Sequence, residues 1–439
     1  MMKYTFKGGI HPYEGKELTM DKEIIEYLPK GDMVYPLSQH IGKPAKPVVK
    51  KGDMVKAGDL IAEADGFVSA NIHASISGKV KIIEPRLTSS GAKVNSIVIE
   101  NDGLYDSKEF IPNDKKISEY TRDEIINAIK DAGIVGMGGA GFPTHVKLSP
   151  KEPDKIDRII VNASECEPYL TSDYRRIMDE ADKVIDGLRL VLKLFPDSKG
   201  IIGIEDNKPK AIALLREKLA DDPNITVNKL KTKYPEGAER QLIYANTGRY
   251  INSKMLPADA GCIVHNVDTV YAISEAVREG KPLMDRIVTV SGDAIENPCN
   301  MKVRIGTNYA ELIEAAGGIK GEPAKIIAGG PMMGKAIYTL DIPATKSSSA
   351  ILAFTKDEVA EYESSACIRC GRCVSVCPGR VMPCELSDMA ELNDVEGFLK
   401  NNGMECCECG CCSFVCPAKR HLTQAIAGMR KEILANKKR

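Results

Sequence analysis

The chain has 439 residues, which at roughly 150 residues per domain predicts about three domains. Its 60 lysine and arginine residues balance 61 aspartate and glutamate residues, so a basic surface that binds nucleic acid is not expected. The hydrophobic share of 43% and the charged share of 28% are typical of a soluble globular protein and exclude a disordered or fibrous chain. No apolar run reaches the ~18–20 residues that span a bilayer, and the N-terminus lacks the apolar segment of a secretion signal. We therefore expect a cytoplasmic protein that meets a membrane only through partners.

The first segment, residues 1–112, is predicted to be β-rich. Residues 46–83 contain short strands separated by Gly-Asp and Ser-Gly turns. This stretch resembles the barrel-sandwich fold of biotinyl and lipoyl carrier domains, which present a cofactor lysine at a hairpin tip. The corresponding tip, residues 63–67, holds no lysine, so we expect a docking or structural domain rather than a carrier.

The second segment, residues 113–282, alternates predicted helices and strands. A capping box at residues 121–124 predicts the start of a helix that ends near Gly133. Strands alternating with amphipathic helices indicate an α/β sheet layered by helices. The predicted strands are 158–163, 201–204 and 225–230, and the helices between them are 174–194 and 210–219.

The third segment, residues 283–350, is predicted to be a small β-grasp domain. It contains a strand and turn at 286–295, a helix at 307–318 that ends at glycine, and a strand at 324–330. The last segment, residues 351–439, carries most of the cysteines and ends in Lys437, Lys438 and Arg439, which we interpret as a solvated end.

Eleven of the 14 cysteines lie between residues 367 and 416. In a reducing compartment such a concentration indicates metal binding rather than disulfides. Residues 367–378 and 406–417 both have the spacing C-x2-C-x2-C-x3-C-P of bacterial two-cluster ferredoxins, in which the fourth cysteine of each run ligates the other cluster. The predicted ligands are therefore Cys367, Cys370, Cys373 and Cys416 for one [4Fe-4S] cluster (cluster 1), and Cys377, Cys406, Cys409 and Cys412 for the other (cluster 2).

Two zinc sites are the alternative interpretation of these cysteines. Zinc ligands usually come as two CxxC pairs on separate knuckles, whereas each run here holds four cysteines in a row and ends in Cys-Pro. Three cysteines, Cys384, Cys407 and Cys411, exceed the needs of two clusters, and we expect them to be small buried apolar residues beside the clusters.

Five glycines fall within the nine residues 133–141. Glycine lets backbone N–H groups approach a phosphate or a flat ring. The run follows a helix and no GK[ST] closes it, so it is neither a Walker A motif nor a dinucleotide-binding fingerprint. Taken alone, it is either a ligand cradle or an ordinary loop.

Four motifs appear in order: GMGGAGFPTHVK (136–147), VNASECEP (161–168), EGAE (236–239) and HNVDT (265–269). They resemble the GRGGAGFPTGxK, NADEGEP, GEE and NNVET motifs of the flavin-and-NADH subunit of respiratory complex I and of related hydrogenase diaphorases. The chain departs from those motifs at Ser164, Cys166, Ala238 and His265, where the family has Asp, Gly, Glu and Asn.

This resemblance implies a set of binding residues, carried over position by position. Phe142 would stack on the adenine of NADH, and Glu167 and Glu239 would contact its ribose or nicotinamide end. Lys147 can stabilise negative charge on a reduced flavin, and the Asn162 amide can bond the polar edge of the ring. No separate catalytic residue is expected, because the chemistry belongs to the cofactor. The residues expected to line FMN are Gly136, Gly138, Lys147, Asn162, Glu165, Asn266 and Thr269.

The whole order, from KGGIHPYEGKELT (7–19) onward, resembles the RnfC family of the Rnf complex, the membrane ferredoxin:NAD oxidoreductase of bacteria. The fold class is then multidomain α/β and α+β. It comprises a barrel-sandwich hybrid domain (1–112), an FMN/NADH-binding α/β domain (113–282), a β-grasp domain of the SLBB type (283–350) and an α-helical two-[4Fe-4S] ferredoxin-like domain with a C-terminal tail (351–439).

The family implies a peripheral subunit on the cytoplasmic face of the membrane that exchanges hydride between NAD(H) and FMN. Its two [4Fe-4S] clusters would pass single electrons to or from other Rnf subunits, coupled by the complex to Na+ or H+ translocation. The expected partners are subunits B, D and G foremost, with A and E in the same complex, and ferredoxin indirectly.

Two alternatives remain open at the level of the sequence. One is a soluble flavin and iron–sulfur reductase, similar to a cobalamin reductase, that uses the same modules. The other is an electron relay that has lost nucleotide binding. It is suggested by the departures from the family motifs at Ser164, Ala238 and His265.

Overall fold

The computed structural model describes residues 4–436, so the predicted solvated end at residues 437–439 lies outside the described part. Within residues 4–436, no helix is both long and apolar enough to cross a membrane.

The barrel-sandwich region contains eight strands. They are β1 (Ile24–Tyr27), β2 (Met33–Pro36), β3 (Lys46–Pro47), β4 (Met54–Val55), β5 (Leu60–Glu63), β6 (Ile72–His73), β7 (Gly78–Leu87) and β8 (Lys93–Asn101). Seven of these strands form two small sheets, ordered β2-β8-β7-β4 and β3-β5-β6. The turns follow from the sequence: the side chains of Asp53 and Asp59 accept hydrogen bonds from the N–H groups of Lys50 and Lys56, at 2.9 Å and 2.7 Å. Strand β1 joins neither sheet, because it pairs in parallel with a strand near residue 300.

The α/β region is built around a parallel four-stranded sheet. Its elements are α1 (Arg122–Asp131), α2 (Thr144–Lys147), β9 (Arg158–Ala163), α3 (Ser172–Leu194), β10 (Lys199–Glu205), α4 (Pro209–Lys218), β11 (Ile225–Leu230), α5 (Glu239–Thr247), β12 (Cys262–Asn266) and α6 (Val267–Glu279). The strand order is β11-β10-β9-β12. The predicted capping box is confirmed, since the Thr121 side chain accepts from the Glu124 N–H and the Glu124 carboxylate accepts from the Thr121 N–H.

Strand order reverses between β9 and β12, because the chain moves outward from β9 through β10 and β11 and then returns to the other side of β9. In open α/β sheets, ligands bind outside the carboxyl ends of the strands at such a switch point. Helix α3 approaches α6 closely at Gly187, where a Cβ would lie 1.8 Å from the Val270 carbonyl oxygen. The fold therefore requires glycine there.

The β-grasp region forms one sheet and contains one α-helix. Its elements are β13 (Asp285–Ser291), β14 (Cys299–Arg304), α7 (Tyr309–Ala315), β15 (Lys325–Ala328), β16 (Lys335–Ile337) and β17 (Ala350–Phe354). The sheet is ordered β1-β14-β13-β17-β15-β16 and so includes the N-terminal strand β1. The buried ammonium of Lys346 donates to the carbonyl oxygens of Gly133 and Asn71, and so ties this region to the α/β and barrel-sandwich regions.

The cysteine-rich region is helical and repeats its backbone conformation. Its helices are α8 (Arg372–Ser375), α9 (Pro383–Glu391), α10 (Val395–Lys400), α11 (Cys411–Phe414) and α12 (Leu422–Asn436). In each half a residue with positive φ, Arg369 or Glu408, precedes a left-handed glycine, Gly371 or Gly410, that begins a one-turn helix. A Cys-Pro step and a longer helix follow in both halves.

Candidate functional site

The four motifs meet at the carboxyl ends of β9 and β12, where Asn162 and Asn266 lie side by side in the sheet register. The Asn162 amide donates to the Gly237 carbonyl oxygen at 2.8 Å and so joins the second motif to the third. The Asn266 amide donates to Asp173 at 2.7 Å, while its oxygen accepts from the Asp268 N–H and caps α6. Both predicted FMN residues are therefore at the topological switch point.

The glycine run crosses the start of α6. The Met137 N–H donates to Thr269 Oγ1 at 3.1 Å. At Gly138 a Cβ would lie 2.9 Å from Asn266 Cβ, whereas at Gly139 nothing lies within 4 Å. Gly138 and Gly139 are exposed, so this stretch offers backbone to a ligand at the switch point. The Gly136 N–H closes the loop on the Phe142 carbonyl oxygen at 2.8 Å, and Phe142 itself is half-buried.

Lys147 connects the first motif to the third motif and to the strand that leads into the fourth. Its ammonium donates to the Val264 carbonyl oxygen at 2.9 Å, next to His265, and lies 3.4 Å from the Glu239 carboxylate at the start of α5. The pair is half-exposed, so its contribution to stability is small. A residue expected at the flavin and a residue expected at NADH are thus direct neighbours.

Glu165 contacts the N-terminus of α3. Its carboxylate accepts from the N–H groups of Asp173 and Tyr174, at 2.7 Å and 3.3 Å, where an anion is favoured by the helix dipole. Burial, followed by the charges of Glu165 and Asp268, raises the pKa of Asp173 well above its usual range. The carboxyl group of Asp173, which accepts from the Asn266 amide, therefore favours its neutral form.

Glu167 is engaged by the β-grasp region. Its two carboxylate oxygens accept from the N–H groups of Met332 and Met333, at 3.0 Å and 2.9 Å. Burial raises its pKa to about 7, against the lowering effect of these two hydrogen bonds. The residue predicted to contact NADH thus holds the turn between β15 and β16.

Several buried polar atoms in the motifs have no hydrogen-bond partner among the described residues. They are Thr144 Oγ1, Ser164 Oγ, both carboxylate oxygens of Glu236 and His265 Nε2. Buried polar groups are normally paired, so such atoms call for a ligand or water. Together with the exposed glycines, they fit a polar ligand such as FMN.

Glu236 was not singled out from the sequence, although it lies inside the third motif. Burial, followed by the charge of Glu205, raises its pKa to about 9. Burial above all, and then the nearby charge of Lys147, lowers the pKa of His265 well below its usual range, so the imidazole is neutral.

Two buried lysines hold the second motif from below, and neither was singled out from the sequence. Lys16 donates to the carbonyl oxygens of Glu165, Glu167 and Leu170, at 2.8, 3.0 and 2.6 Å. Lys208 donates to the Ser164 carbonyl oxygen at 2.6 Å. A signal existed only for Lys16, which lies in the N-terminal motif KGGIHPYEGKELT.

All four predicted ligands of cluster 2, together with the surplus Cys407 and Cys411, line one cavity in the cysteine-rich region. Of the cluster 1 set, Cys373 and Cys416 pack around Leu422, whereas Cys367 and Cys370 are exposed. Within residues 4–436, no group of three or more His, Cys, Asp or Glu side chains is arranged to hold a metal ion.

The backbone around the runs suits thiolate ligands. The Arg369 N–H lies 3.4 Å from Cys367 Sγ, and the Glu408 N–H lies 3.4 Å from Cys406 Sγ, at equivalent places in the two halves. Such hydrogen bonds stabilise sulfur that carries negative charge. Of the surplus cysteines, Cys411 is fully buried, and Cys384 and Cys407 are partly buried.

The cavity lies against the α/β region. Tyr234 lies two residues before the EGAE motif. Its hydroxyl donates to the Cys409 carbonyl oxygen at 2.8 Å. Tyr234 packs in one contact cluster with Cys166, Cys409, Cys411 and Met332. The Gly237 N–H contacts Cys166 Sγ at 3.2 Å. The second and third motifs are therefore in continuous contact with the ligands expected for cluster 2.

Sequence comparison identifies four known domains. Residues 4–104 match the RnfC barrel sandwich hybrid domain, residues 129–275 the Nuo51 FMN-binding domain, residues 287–336 the SLBB domain and residues 360–382 a 4Fe-4S binding domain. The predicted fold class and the predicted cofactors, FMN and [4Fe-4S], are confirmed.

A solved NAD+-reducing [NiFe]-hydrogenase in its H2-reduced state has a similar fold. The TM-score is 0.50 at 18% identity, over 73% of this chain and 62% of that one.

Whole-chain relatives agree with the domain matches. The C subunit of a proton-translocating ferredoxin:NAD(+) oxidoreductase complex of Clostridium ljungdahlii is 49% identical over 89% of this chain and 85% of its own length. A Na(+)-translocating counterpart of Acetobacterium woodii is 45% identical over 99% of this chain and 98% of its own. The C subunit of an ion-translocating oxidoreductase complex of Rhodobacter capsulatus is 40% identical over 91% of this chain and 78% of its own. The chain therefore belongs to the RnfC family of the Rnf complex.

Proposed function

We propose that this protein is the NAD(H)-oxidising and NAD(H)-reducing electron-transfer subunit of a membrane Rnf complex. It exchanges hydride between NAD(H) and FMN and passes single electrons through two [4Fe-4S] clusters to or from other subunits. The observation that carries the proposal is the convergence of all four motifs at the switch point, in contact through Tyr234 with Cys409. Bound FMN supplies the conversion between a two-electron hydride and single electrons.

The protein's own residues bind the flavin and hold the loops around it. The exposed glycines leave room for the flavin, and the Lys147 ammonium is available to stabilise the negative charge of its reduced form. Asn162 and Asn266 fix the two loops that flank the site. The FMN set remains Gly136, Gly138, Lys147, Asn162, Glu165, Asn266 and Thr269, and the NADH set Phe142, Glu167 and Glu239.

The two clusters differ in what surrounds them. The cluster 2 cysteines line a cavity that lies against Tyr234 and Cys166, and this supports a position of cluster 2 nearest the flavin. Cys367 and Cys370 of cluster 1 are exposed, which supports its place nearest a partner. Electrons then run between flavin, cluster 2, cluster 1 and the partner in this order or its reverse.

The relatives' names support membership of a membrane complex with several subunits. Those relatives are subunits of complexes that translocate protons or Na+. For this chain we propose docking to Rnf subunits B, D and G on the cytoplasmic face of the membrane, with A and E in the same complex. The cobalamin-reductase alternative has no support from these relatives.

A relay without nucleotide binding is the second candidate. It is favoured by Glu167, whose two oxygens already accept hydrogen bonds from Met332 and Met333. In that case the protein would transfer electrons between clusters and partners without oxidising NADH.

One experiment separates the two candidates. The protein is purified without oxygen, its flavin and iron are quantified, and NADH is added while flavin absorbance is followed. We expect one FMN, about eight iron atoms and bleaching of the flavin by NADH. Full iron content with no bleaching would replace the proposal with the relay.

A further inference from the structure

The two halves of the cysteine-rich region place different side chains beside equivalent ligands. In each half a longer helix, α9 or α12, begins shortly after the Cys-Pro step. The second residue of α9 is Cys384 and the second residue of α12 is Thr423. Cys384 lies beside Cys373, and Thr423 lies beside Cys412, the third cysteine of each run. A matched pair of positions therefore carries a thiol in one half and a hydroxyl in the other.

The Thr423 hydroxyl is held in a defined arrangement. Its oxygen lies 3.2 Å from Cys412 Sγ. The Ser413 hydroxyl donates to that oxygen at 3.1 Å, and the Thr423 N–H donates back to Ser413 Oγ at 3.0 Å. Because Ser413 donates into the Thr423 oxygen, the Thr423 hydrogen is left to point at the sulfur.

We propose that Thr423 is a positioning residue that sets the reduction potential of cluster 2 by donating a hydrogen bond to the Cys412 thiolate. The inference rests on the proposed function, in which Cys412 is a ligand. A ligating thiolate has no proton of its own, so in this pair only the hydroxyl can donate. Reduction adds an electron, and a donor at the sulfur stabilises the more negative state and raises the potential.

The two clusters are thereby made unequal. A thiol is a weak hydrogen-bond donor compared with a hydroxyl, so Cys384 gives the Cys373 sulfur less stabilisation than Thr423 gives Cys412. Cluster 2, against the α/β region, gains a more positive potential from this contact than cluster 1 gains from its own.

The test is a redox titration of the full-length protein, purified without oxygen and followed by EPR, with iron content measured on every sample. Thr423→Val keeps the shape and removes the donor. We expect the reduced-to-oxidised ratio of one cluster to fall about tenfold at a fixed potential, or about 59 mV for a one-electron couple. Thr423→Ser should restore the original value, and Ser413→Ala should shift the same cluster less.

Cys384→Thr is the matched control, since it gives the first half the hydroxyl of the second. It should raise the reduction potential of cluster 1 and leave the potential of the cluster that responds to Thr423→Val unchanged. An unchanged titration of Thr423→Val with full iron content would overturn the proposal, as would an equal shift of both clusters. Loss of iron from Thr423→Val but not from Thr423→Ser would make Thr423 a structural residue and overturn it too. Absence of clusters from the unsubstituted protein would instead overturn the proposed function itself.

Discussion

In the cysteine-rich region the groups expected to bind cofactor come from two short runs, whereas in the α/β site they come from four loops separated by helices and strands. The runs share one backbone path, with positive φ at Arg369 and Glu408 and a left-handed glycine two residues later. The α/β loops share no such path and are joined by hydrogen bonds such as Asn162 to Gly237. Local sequence therefore shapes the first region, and long-range contacts shape the second.

The difference has a consequence for substitution. A ligand cysteine is expected to act on one cluster, because each cluster has its own set. A buried residue under the α/β loops is expected to act on the whole site, because Lys16 and Lys208 each hold backbone of the second motif. Four predictions test this contrast.

The largest effect is expected from Cys416→Ser. The ferredoxin spacing assigns Cys416 to cluster 1 although it lies in the second run, so its substitution should act on cluster 1. We expect the EPR signal of the cluster held by Cys367, Cys370 and Cys373 to be damaged and that of cluster 2 to remain. Cys411→Ser, at a surplus position, is the control and should keep both. Loss of cluster 2 alone would show that the pairing is wrong.

The next effect is expected from Lys208→Met. The side chain is 1% exposed and donates to the Ser164 carbonyl oxygen and the Asn207 side-chain oxygen. Its removal takes this donor from both oxygens and leaves the buried Glu205 carboxylate without its ion-pair partner. We expect a loss of about 3 kcal/mol in the free energy of unfolding and reduced flavin content. Denaturant unfolding and flavin analysis measure both.

Lys210→Met is the matched control, two residues along, because Lys210 pairs with Asp21 at the exposed surface. It should leave both quantities unchanged. Normal flavin content in Lys208→Met would mean that the second motif keeps its conformation without the hydrogen bond from Lys208 to Ser164.

A smaller effect is expected from Phe142→Ala. The ring is half-buried rather than part of the core, so its truncation should not unfold the domain. Base–aromatic stacking is worth roughly 1–3 kcal/mol in nucleic-acid systems, which corresponds to NADH binding weakened by about 5- to 100-fold with FMN retained. Lys147→Ala and Asn162→Ala should show the reverse, losing FMN first. Unchanged NADH affinity in Phe142→Ala would remove this residue from the site.

Much of the frame was predictable from the sequence because it depends on local pattern. The strands predicted at 158–163 and 225–230 are β9 and β11, and the strand predicted at 201–204 lies inside β10. The pairing of β1 with β14 was not predictable, since parallel neighbours so far apart in the chain leave no local signal. Lys16, Lys208 and Glu236 were missed because charged residues are usually exposed, and only the assembled loops bury these three.

The last effect, expected from Glu236→Gln, is the one that depends on pH. The unfolded chain releases this proton near pH ~4.3, whereas burial and the charge of Glu205 raise the pKa in the folded protein to about 9, against the opposite effect of Lys233. Between these two values the unfolded state binds fewer protons, so the free energy of unfolding falls as the pH rises, by at most about 1.4 kcal/mol per unit. Above pH 9 this dependence should level off. Glu236→Gln cannot ionise, so its stability relative to the unsubstituted protein should increase from pH 5 to pH 8 in denaturant titrations. The exposed Glu296→Gln should run parallel to the unsubstituted protein, and the same parallel course for Glu236→Gln would mean that Glu236 is paired or hydrated in the folded state.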